Sequence, residues 1–394
     1  MRKKKIRKGW RFRGEELSNL KNLLDRDFSA GSDNFMSEKF ENLFAKIHKQ
    51  KYAISSNSGT STLHQALHAF GVGHGDEVII PALTVAMCGF VIWQCGAVPV
   101  YADVDKDTFL IDPKDIEKKI TKKTKAIILV NVLGNSPEIN KIKNLAKKRK
   151  IYLIEDNCES LGSKYNNKYL GTFGRFGTYS FYYSHQITSG EGGMIVCKNS
   201  NDYNIIKCLR SHGWSRNTTF HNKIKKKYKK IDERFLFINS GYNLRPLDIT
   251  ASIAHSQLKR LPQFISIRNN NRKILIRKIK SNINWKNQFS FIEPSKNIFP
   301  SWFGLPILIN KKLQHKKKKF LNFLNKMGIE NRPIVSGNFL NQPAVKLYNL
   351  NSKGIFLNSQ TIEDCGFFIG LHTKKISSKL SNYVTKNLLK IEKI

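Results

Sequence analysis

The segment SFYYSHQITSGEGGMIVCKN, residues 180–199, holds residue types that suit a reactive centre. An apolar run that begins at Ser180 leads to His185, and the glycine-rich turn 190–193 follows. Glycine has no Cβ and lets the backbone approach a ligand closely. A lone histidine is more often structural than catalytic, but its ordinary pKa of about 6.5 also suits general acid–base work at neutral pH. Other stretches of the chain must decide between these two interpretations.

A second stretch, SSNSGTSTLHQAL at residues 55–67, predicts a loop that leads into a helix. Gly59 and Thr60 stand at the expected helix start, where unpaired N–H groups and the helix dipole form an anion site suited to phosphate. A plain Ser/Thr N-cap is the alternative. His64 and His68 lie four residues apart on this helix. Without a third ligand we expect a packed or surface pair rather than a metal site.

The third stretch, IYLIEDNCESLG at residues 151–162, predicts a strand that ends in acidic residues. Asp156 falls at the carboxyl end of this strand, where open α/β sheets bind their ligands. A carboxylate there could hold a cationic ring nitrogen, although a helix N-cap is an equally open interpretation. A phosphate-type helix start, a strand-end aspartate and a histidine after a strand, in this order, favour a catalytic role for His185.

Short apolar runs rich in Val, Ile and Tyr predict the elements that position these residues. Alternation with helices from about residue 51 indicates an α/β fold with a mixed, mostly parallel sheet. A helix over 247–261 follows a long irregular loop over 210–245, and LPQF then breaks the pattern. We therefore predict a large domain over 1–264, including a helical N-terminal segment, and a small α+β domain over 265–394. The candidate strands are 78–82, 98–104, 126–132, 151–155, 177–183 and 193–197.

The composition argues against several classes of protein. Hydrophobic residues make up 40% of the 394 residues, enough for a sizeable core. No apolar run reaches the roughly 18 residues of a membrane span. The basic N-terminus MRKKKIRKGWRF lacks the apolar part of a secretory signal. We therefore expect a cytoplasmic protein without membrane contact.

The formal net charge of +39 raises the question of a nucleic-acid partner. A nucleic-acid binder concentrates its Lys and Arg on one face or in one module, whereas here they are spread along the chain. We expect a solvated basic surface that attracts anionic substrates, and no nucleic acid. The six cysteines form no CxxC pair and suit neither zinc nor iron–sulfur ligation, so we expect no metal.

Together these stretches resemble the sugar aminotransferase family of fold-type I enzymes, which use pyridoxal 5′-phosphate (PLP). The matching motifs run in family order from about residue 35 to 262, and the C-terminal part is similar to the family's smaller domain. The resemblance implies the fold-type I transferase fold, with a large cofactor-binding domain and a small α+β domain. The motifs are NSGTSTL, GDEVIIPALT, GAVPVYADVD, IEDNCESLG, GTFGRFGTYSF, GEGGMIVCKN and GYNLRPLDITASIAHSQLKRLP.

The resemblance places His185 where the family normally has the lysine that binds the cofactor covalently. Imidazole cannot form that bond, and this replacement marks a subgroup, the sugar 3-dehydratases. Membership implies that pyridoxamine 5′-phosphate (PMP) helps to remove the C3 hydroxyl of a nucleotide-linked 4-keto-6-deoxyhexose in dideoxysugar and lipopolysaccharide O-antigen biosynthesis. L-glutamate would regenerate PMP. One branch carries an iron–sulfur cluster bound by clustered cysteines. With no cysteine between Cys208 and Cys365, we expect none here.

The resemblance also implies which residues hold the cofactor. Gly59, Thr60 and Ser180 would contact the phosphate, and Asn243 would reach the phosphate of the neighbouring subunit in a homodimer. Asp156 would pair with the ring nitrogen.

Further implied roles concern the ring and the substrate. Glu159 would lie near the ring hydroxyl. Val85 stands where many relatives have an aromatic residue that stacks on the ring, so stacking is weaker or comes from elsewhere. The candidates for substrate contact are His212, Glu330 and Arg332.

Alternatives remain open at this point. The nearest is an aminotransferase or a dehydratase that acts on another sugar. A non-catalytic regulator could keep the fold to sense cofactor or sugar, and a basic nucleic-acid-binding protein is a third possibility.

Overall fold

The computed structural model describes residues 14–25, 35–350 and 354–394, so most of the basic N-terminal segment lies outside the described residues. The helices are α1 (Glu16–Leu24), α2 (Phe35–His48), α3 (Gly59–Ala69), α4 (Ala86–Gln94), α5 (Pro113–Lys119), α6 (Ile139–Arg149), α7 (Ser200–Arg210), α8 (His221–Lys227), α9 (Asp248–Lys280), α10 (Lys317–Lys326), α11 (Pro343–Leu347), α12 (Leu357–Cys365) and α13 (Ser378–Leu388). The strands are β1 (Tyr52–Ser56), β2 (Glu77–Pro81), β3 (Val98–Ala102), β4 (Thr124–Val130), β5 (Tyr152–Asp156), β6 (Lys164–Tyr165), β7 (Lys168–Tyr169), β8 (Phe176–Ser180), β9 (Gly193–Cys197), β10 (Phe289–Phe291), β11 (Ile298–Phe299), β12 (Gly304–Ile309), β13 (Asn331–Arg332) and β14 (Gly366–Gly370).

A sheet of seven described strands, in the order β1-β9-β8-β5-β4-β2-β3, forms the centre of the protein. β2, β3, β4, β5 and β8 pair in parallel, whereas β9 is antiparallel to both of its neighbours. Buried apolar side chains cover both faces, which explains why these strands are continuous apolar runs in the sequence. The predicted mixed, mostly parallel sheet is confirmed. β1 was not predicted, because Ser55 and Ser56 shorten its apolar run.

The C-terminal part contains a smaller antiparallel sheet in the order β10-β12-β14-β13, beside a three-stranded sheet of β11, β6 and β7. The C-terminal part packs against the carboxyl ends of β2 and β3. The N–H of Phe339 donates to the carbonyl of Ala82 over 2.9 Å. Asp103, just after β3, accepts the N–H of Ser359 over 2.9 Å. These bonds bring the C-terminal part against the edge of the central sheet where ligands are expected.

Helix α9 runs without a break from Asp248 to Lys280, although Pro262 lies inside it. The prediction that this helix ends at residue 261 is wrong. An interior proline costs about 3 kcal/mol, whereas each fully buried large apolar side chain contributes about 1.5–3 kcal/mol. The predicted boundary at 264/265 falls inside this helix, and the division into two domains stays a prediction. The side chains that α9 buries around its proline include Leu258, Leu261, Phe264 and Ile265.

Residues 210–245 form the predicted long loop, interrupted by α8 and a short 3₁₀ turn at Glu233–Phe235. Isolated bridges between Ser211 and Asn243 and between Trp214 and Phe237 tie its two halves together. In the described part of the chain, none of the helices combines the length and apolar character that crossing a bilayer requires.

Candidate active site

Two of the predicted site residues end neighbouring strands of the central sheet. Asp156 is the last residue of β5 and pairs with Thr178 in the parallel strand β8, which ends at Ser180. Because parallel strands point the same way, their carboxyl ends lie at one edge of the sheet. The structure therefore brings Asp156 and Ser180 together at this edge.

The start of α3 lies directly against Ser180. A Cβ on Gly59 would lie only 2.6 Å from the Cβ of Ser180 and 2.9 Å from the Sγ of Cys158, so only glycine fits there. Ser58 caps the helix, and the first N–H groups, those of Gly59 and Thr60, have no acceptor within the helix. These N–H groups and the Ser180 hydroxyl form a small cradle suited to an anion.

The Asp156 side chain is 2% exposed and is held at both oxygens. Its Oδ1 accepts the N–H of Cys158 over 3.0 Å, and its Oδ2 lies 3.6 Å from the Sγ of Cys88. Burial raises the pKa of Asp156, while hydrogen bonds from Cys158 and Cys88 pull it down. A cationic partner in this pocket would strongly favour the ionised carboxylate.

Glu155, the preceding residue, points to the opposite face of β5 because side chains alternate along a strand. It is fully buried and accepts the N–H groups of Gly171, Phe173 and Gly174, each over 2.6 Å. Burial raises its pKa to about 7 against the opposing pull of these N–H groups. Glu155 thus fixes the turn between β7 and β8. The sequence did not distinguish this anchor from its neighbour.

His185 lies in the turn that follows β8. Its N–H donates to the carbonyl of Tyr182 over 3.0 Å. Its ring centroid lies 5.5 Å from that of Phe303 and 6.1 Å from that of Tyr182. The imidazole is partly exposed and flanked by aromatic rings.

Gln186 ties the histidine turn to the rest of the site. Its side-chain amide donates to the carbonyl of Glu159 and, over 3.2 Å, to that of Ser301. Arg268 donates to the Gln186 carbonyl over 3.4 Å, and its full burial lowers its pKa to about 9. The Glu159 carboxylate accepts the N–H of Leu133 over 2.9 Å.

Three of these neighbours were missed at the sequence level. Phe303 and Gln186 carry no signal of their own. Arg268 does, because it occupies the apolar stripe of α9, three and seven residues after Ile265 and Leu261. A charged residue at a buried stripe position is a sign of function or of a specific partner.

The loop over 210–245 brings His212 and Asn243 together. The N–H of His212 donates to the carbonyl of Tyr242 over 2.7 Å. The Tyr242 hydroxyl lies 2.9 Å from Nδ1 of His68 and 3.3 Å from Nε2 of His64. The two histidines are thus packed against one tyrosine. Helix α3, which begins at the cradle, also holds the loop that carries Asn243.

Glu330 and Arg332 contact each other rather than the cradle, over 2.9 Å between Oε1 and Nη2. Arg332 pairs with Phe368 in β14, and the Phe368 ring lies 5.8 Å from Phe303. Since Phe303 also contacts His185, the C-terminal sheet approaches the histidine from this side.

Val85 lies at the start of α4 and is partly buried. The preceding residue, Thr84, accepts the N–H of Ser336 over 3.2 Å. The C-terminal segment therefore also meets the site beside Val85.

The glycine-only helix start and the buried strand-end aspartate are linked through Cys158, and the turn that carries His185 is tied to Glu159, one residue further along, through Gln186. A profile of the DegT/DnrJ/EryC1/StrS aminotransferase family matches residues 12–388, nearly the whole chain. The chain belongs to this family. The fold-type I architecture expected from the sequence is therefore confirmed.

Individual relatives and solved structures indicate which enzymes of the DegT/DnrJ/EryC1/StrS family this chain is similar to. GDP-4-keto-6-deoxy-D-mannose 3-dehydratase of Escherichia coli O55:H7 is 37% identical over 344 residues, which cover 85% of this chain and 87% of the relative. A histidine-to-asparagine variant of GDP-4-keto-6-deoxymannose 3-dehydratase with bound GDP-perosamine superposes with a TM-score of 0.87 at 33% identity, covering 98% of this chain and 99% of that one. A structure of the same enzyme with a trapped PLP–glutamate geminal diamine gives 0.86 at 32% identity, covering 97% and 99%.

Proposed function

We propose that this protein is a PLP/PMP-dependent sugar 3-dehydratase, a lyase that removes the C3 hydroxyl of GDP-4-keto-6-deoxy-D-mannose in dideoxysugar and lipopolysaccharide O-antigen biosynthesis. L-glutamate serves as the amino donor that regenerates PMP. One observation carries the proposal. In a chain that keeps the family's anion cradle and buried aspartate, His185 occupies the turn after β8 in place of a lysine.

The residues present fit the cofactor. The N–H groups of Gly59 and Thr60 and the Ser180 hydroxyl would hold its phosphate, since only a glycine at residue 59 allows the helix start to pack so closely against Ser180. Asp156 would pair with the ring nitrogen. Its carboxylate is buried, and a protonated nitrogen would give it a cationic neighbour. Glu159 would lie beside the ring hydroxyl.

When bound, the cofactor supplies an amine that condenses with the C4 ketone of the sugar and an electron sink for the bonds at C3. His185 would provide the proton transfers. Its imidazole would take a proton from the C4′ carbon of the cofactor and give a proton to the C3 hydroxyl of the sugar, which would leave as water. A lysine at this position would protonate the sugar carbon instead and complete an ordinary transamination.

The overall reaction balances without an external oxidant or reductant. The C3 carbon loses its hydroxyl and gains hydrogen, a reduction by two electrons. Glutamate is oxidised by two electrons to 2-oxoglutarate, and its nitrogen leaves as ammonia. An aminotransferase would keep that nitrogen on the sugar, so released ammonia separates the two reactions.

The substrate meets the loop and the C-terminal sheet. His212 and the pair formed by Glu330 and Arg332 are our candidates for contacts with the nucleotide-linked sugar. Arg332 has the fixed fork of donors that suits a phosphate oxygen. The formal charge of +39 attracts an anionic nucleotide from a distance.

A homodimer completes the site in this proposal, because Asn243 serves the cofactor phosphate of the other subunit. Apolar side chains support such a contact, since they are exposed close to His185 and to the loop that carries Asn243. A cytoplasmic location without nucleic-acid or membrane partners remains our prediction. The exposed side chains are Tyr182, Tyr183, Phe235, Phe237 and Leu247.

Product analysis tests this function. Purified protein is incubated with PMP, L-glutamate and either GDP-4-keto-6-deoxymannose or a CDP-linked 4-keto-6-deoxyhexose. We expect a 3,6-dideoxy product and ammonia with the GDP sugar. An amino sugar without ammonia would establish an aminotransferase, and turnover of the CDP sugar alone would establish another dehydratase. DNA retention without PMP binding would overturn the enzymatic proposal.

A His185→Lys variant tests the role of the histidine. It should lose dehydration and retain PLP as a covalent adduct that borohydride fixes to the chain. His212→Lys is the matched control and should bind no cofactor covalently. Dehydration that survives in His185→Lys, or borohydride trapping of PLP on a lysine of the wild-type protein, would contradict the proposal.

A further inference from the structure

Asp156 has a close neighbour to which the proposed function gives no role, the thiol of Cys88. Cys88 is the third residue of α4 and is fully buried. Its Sγ lies 3.6 Å from Oδ2 of Asp156, within the usual range of a hydrogen bond that involves sulfur. Helix α4 thus reaches across the sheet edge and touches the carboxylate that faces the cofactor ring.

Toward Asp156 the thiol acts as the donor. Burial and the negative charge of Asp156 both raise the pKa of Cys88 well above its usual range. The sulfur therefore keeps its proton, and the carboxylate is the acceptor. A thiolate would be unfavourable in this buried position beside a carboxylate. We therefore assign Cys88 no nucleophilic role.

The two oxygens of Asp156 are held from two directions. The N–H of Cys158 holds Oδ1 over 3.0 Å from the end of β5, the Cys158 thiol also hydrogen-bonds the carboxylate, and Cys88 holds Oδ2 from α4. Donors on two different elements fix the plane of the carboxylate more firmly than donors on Cys158 alone would. The remaining lone pairs then point in a defined direction.

We propose that Cys88 is a positioning residue, whose thiol donates to Oδ2 of Asp156 and aims the carboxylate at the ring nitrogen of the cofactor. The inference rests on the proposed function, because it needs PMP in the cradle. It assigns Cys88 no contact with the substrate. Its effect on the cofactor passes through Asp156 alone.

The experiment compares two ligands that differ at one atom. PMP and its 1-deaza analogue, in which carbon replaces the ring nitrogen, are titrated into wild-type protein, Cys88→Ala, Cys88→Ser and Cys208→Ala. Binding is followed by ligand absorbance, without sugar or glutamate. Cys208 is the matched control, since it is a buried cysteine on helix α7. Thermal melting checks that each variant is folded.

We expect Cys88→Ala to weaken PMP binding about tenfold, as for a lost hydrogen bond to a charged group. Its affinity for the deaza analogue should stay within about twofold of wild type, because that ligand lacks the nitrogen that Asp156 faces. Cys88→Ser keeps a hydrogen-bond donor, although on a shorter bond. Its PMP affinity should lie between those of wild type and Cys88→Ala. Cys208→Ala should bind both ligands as the wild type does.

Other outcomes would overturn the inference. An unchanged PMP affinity in Cys88→Ala would remove any role for the thiol. An equal loss of affinity for both ligands would show that the substitution disturbs the packing of the pocket and does not act through the position of Asp156. If Cys88→Ala does not fold, the same comparison of the two ligand affinities is made with Cys88→Ser. Wild-type protein that fails to bind PMP would overturn the proposed function itself, and the role of Cys88 with it.

Discussion

Glu155 and Asp156 are neighbours on β5, yet their two carboxylates lie in different surroundings. Both are buried, and burial raises the pKa of each. Glu155 receives three backbone N–H groups from the turn before β8. Asp156 receives one backbone N–H, that of Cys158, and weaker thiol donors from Cys158 and Cys88.

The difference teaches how to separate a structural carboxylate from a functional one. A carboxylate offers about four acceptor sites. The chain's own backbone occupies most of those of Glu155, which makes it an anchor for the turn. Asp156 has only one strong donor among its partners, so in our proposal the ring nitrogen of the cofactor supplies the second. We expect mutations at the two positions to affect different properties.

The largest effect should come from Asp156→Asn, which removes the charge and keeps the shape. Loss of one partner of a buried ion pair costs about 3–5 kcal/mol, so PMP affinity should fall by a factor between about 100 and about 4,000. The melting temperature without ligand should not drop, because the buried charge is gone. PMP titration and calorimetry measure the two quantities. Wild-type affinity in Asp156→Asn would remove the functional half of the comparison.

Glu155→Gln is the mirror experiment. The new side-chain NH₂ must face at least one of the N–H groups of Gly171, Phe173 and Gly174, which leaves donors opposed in a dry site. We expect a loss of about 2–3 kcal/mol in the free energy of unfolding, measured by denaturant titration. PMP affinity of the folded variant should stay within about threefold of wild type. A stable Glu155→Gln protein that has lost PMP binding would reverse the assignment of the two carboxylates.

The pH dependence of stability sharpens the role of Glu155. Its pKa is about 7 in the folded protein, above its ordinary value of 4.5, so the folded state binds the extra proton. This contribution to stability is present below about pH 4.5 and is lost as the pH rises to about 7, with a slope of up to about 1.4 kcal/mol per pH unit. Unfolding free energies of wild type and Glu155→Gln, measured between these limits, should show the extra slope only in wild type. Equal slopes would show that Glu155 stays ionised beneath its three N–H donors.

Much of this site could be predicted from the sequence, because it depends on local patterns. The strand-end position of Asp156, the helix start at Gly59 and the histidine after β8 follow from apolar runs and turn residues that lie within a few positions of each other. The opposite roles of Glu155 and Asp156 could not be predicted. They depend on the N–H groups of residues 171–174 and on Cys88, which only the folded sheet brings to β5.

The wrong prediction for α9 has the same origin. Pro262 predicts a helix end from local backbone chemistry, but the apolar stripe of α9 gains more by continuing than the proline costs. Arg268 lies beyond that false end. Its hydrogen bond to the carbonyl of Gln186, beside His185, can form only because the helix continues past Pro262. Long-range burial thus decided the course of α9, whereas β1 was missed because of its own two serines.

Two serines extend the comparison to smaller effects. Ser163 is saturated, since its hydroxyl donates to the carbonyl of Gly134 and accepts the N–H of Ser301, each over 2.8 Å. Ser180 accepts the N–H of Tyr182 over 3.2 Å and still has its own proton to donate at the cradle. By the criterion set by the carboxylates, Ser163 is structural and Ser180 binds a ligand.

Alanine at each position should separate these roles. Ser163→Ala should lower the free energy of unfolding by about 1–2 kcal/mol, because a buried N–H and a buried carbonyl lose their partner, with PMP affinity unchanged. Ser180→Ala should barely alter stability and should weaken PMP about tenfold through the lost bond to phosphate. Pyridoxamine, which lacks the phosphate, should bind Ser180→Ala and wild type equally. If pyridoxamine loses as much affinity as PMP, Ser180 shapes the pocket as a whole, and saturation is not what distinguishes the two serines.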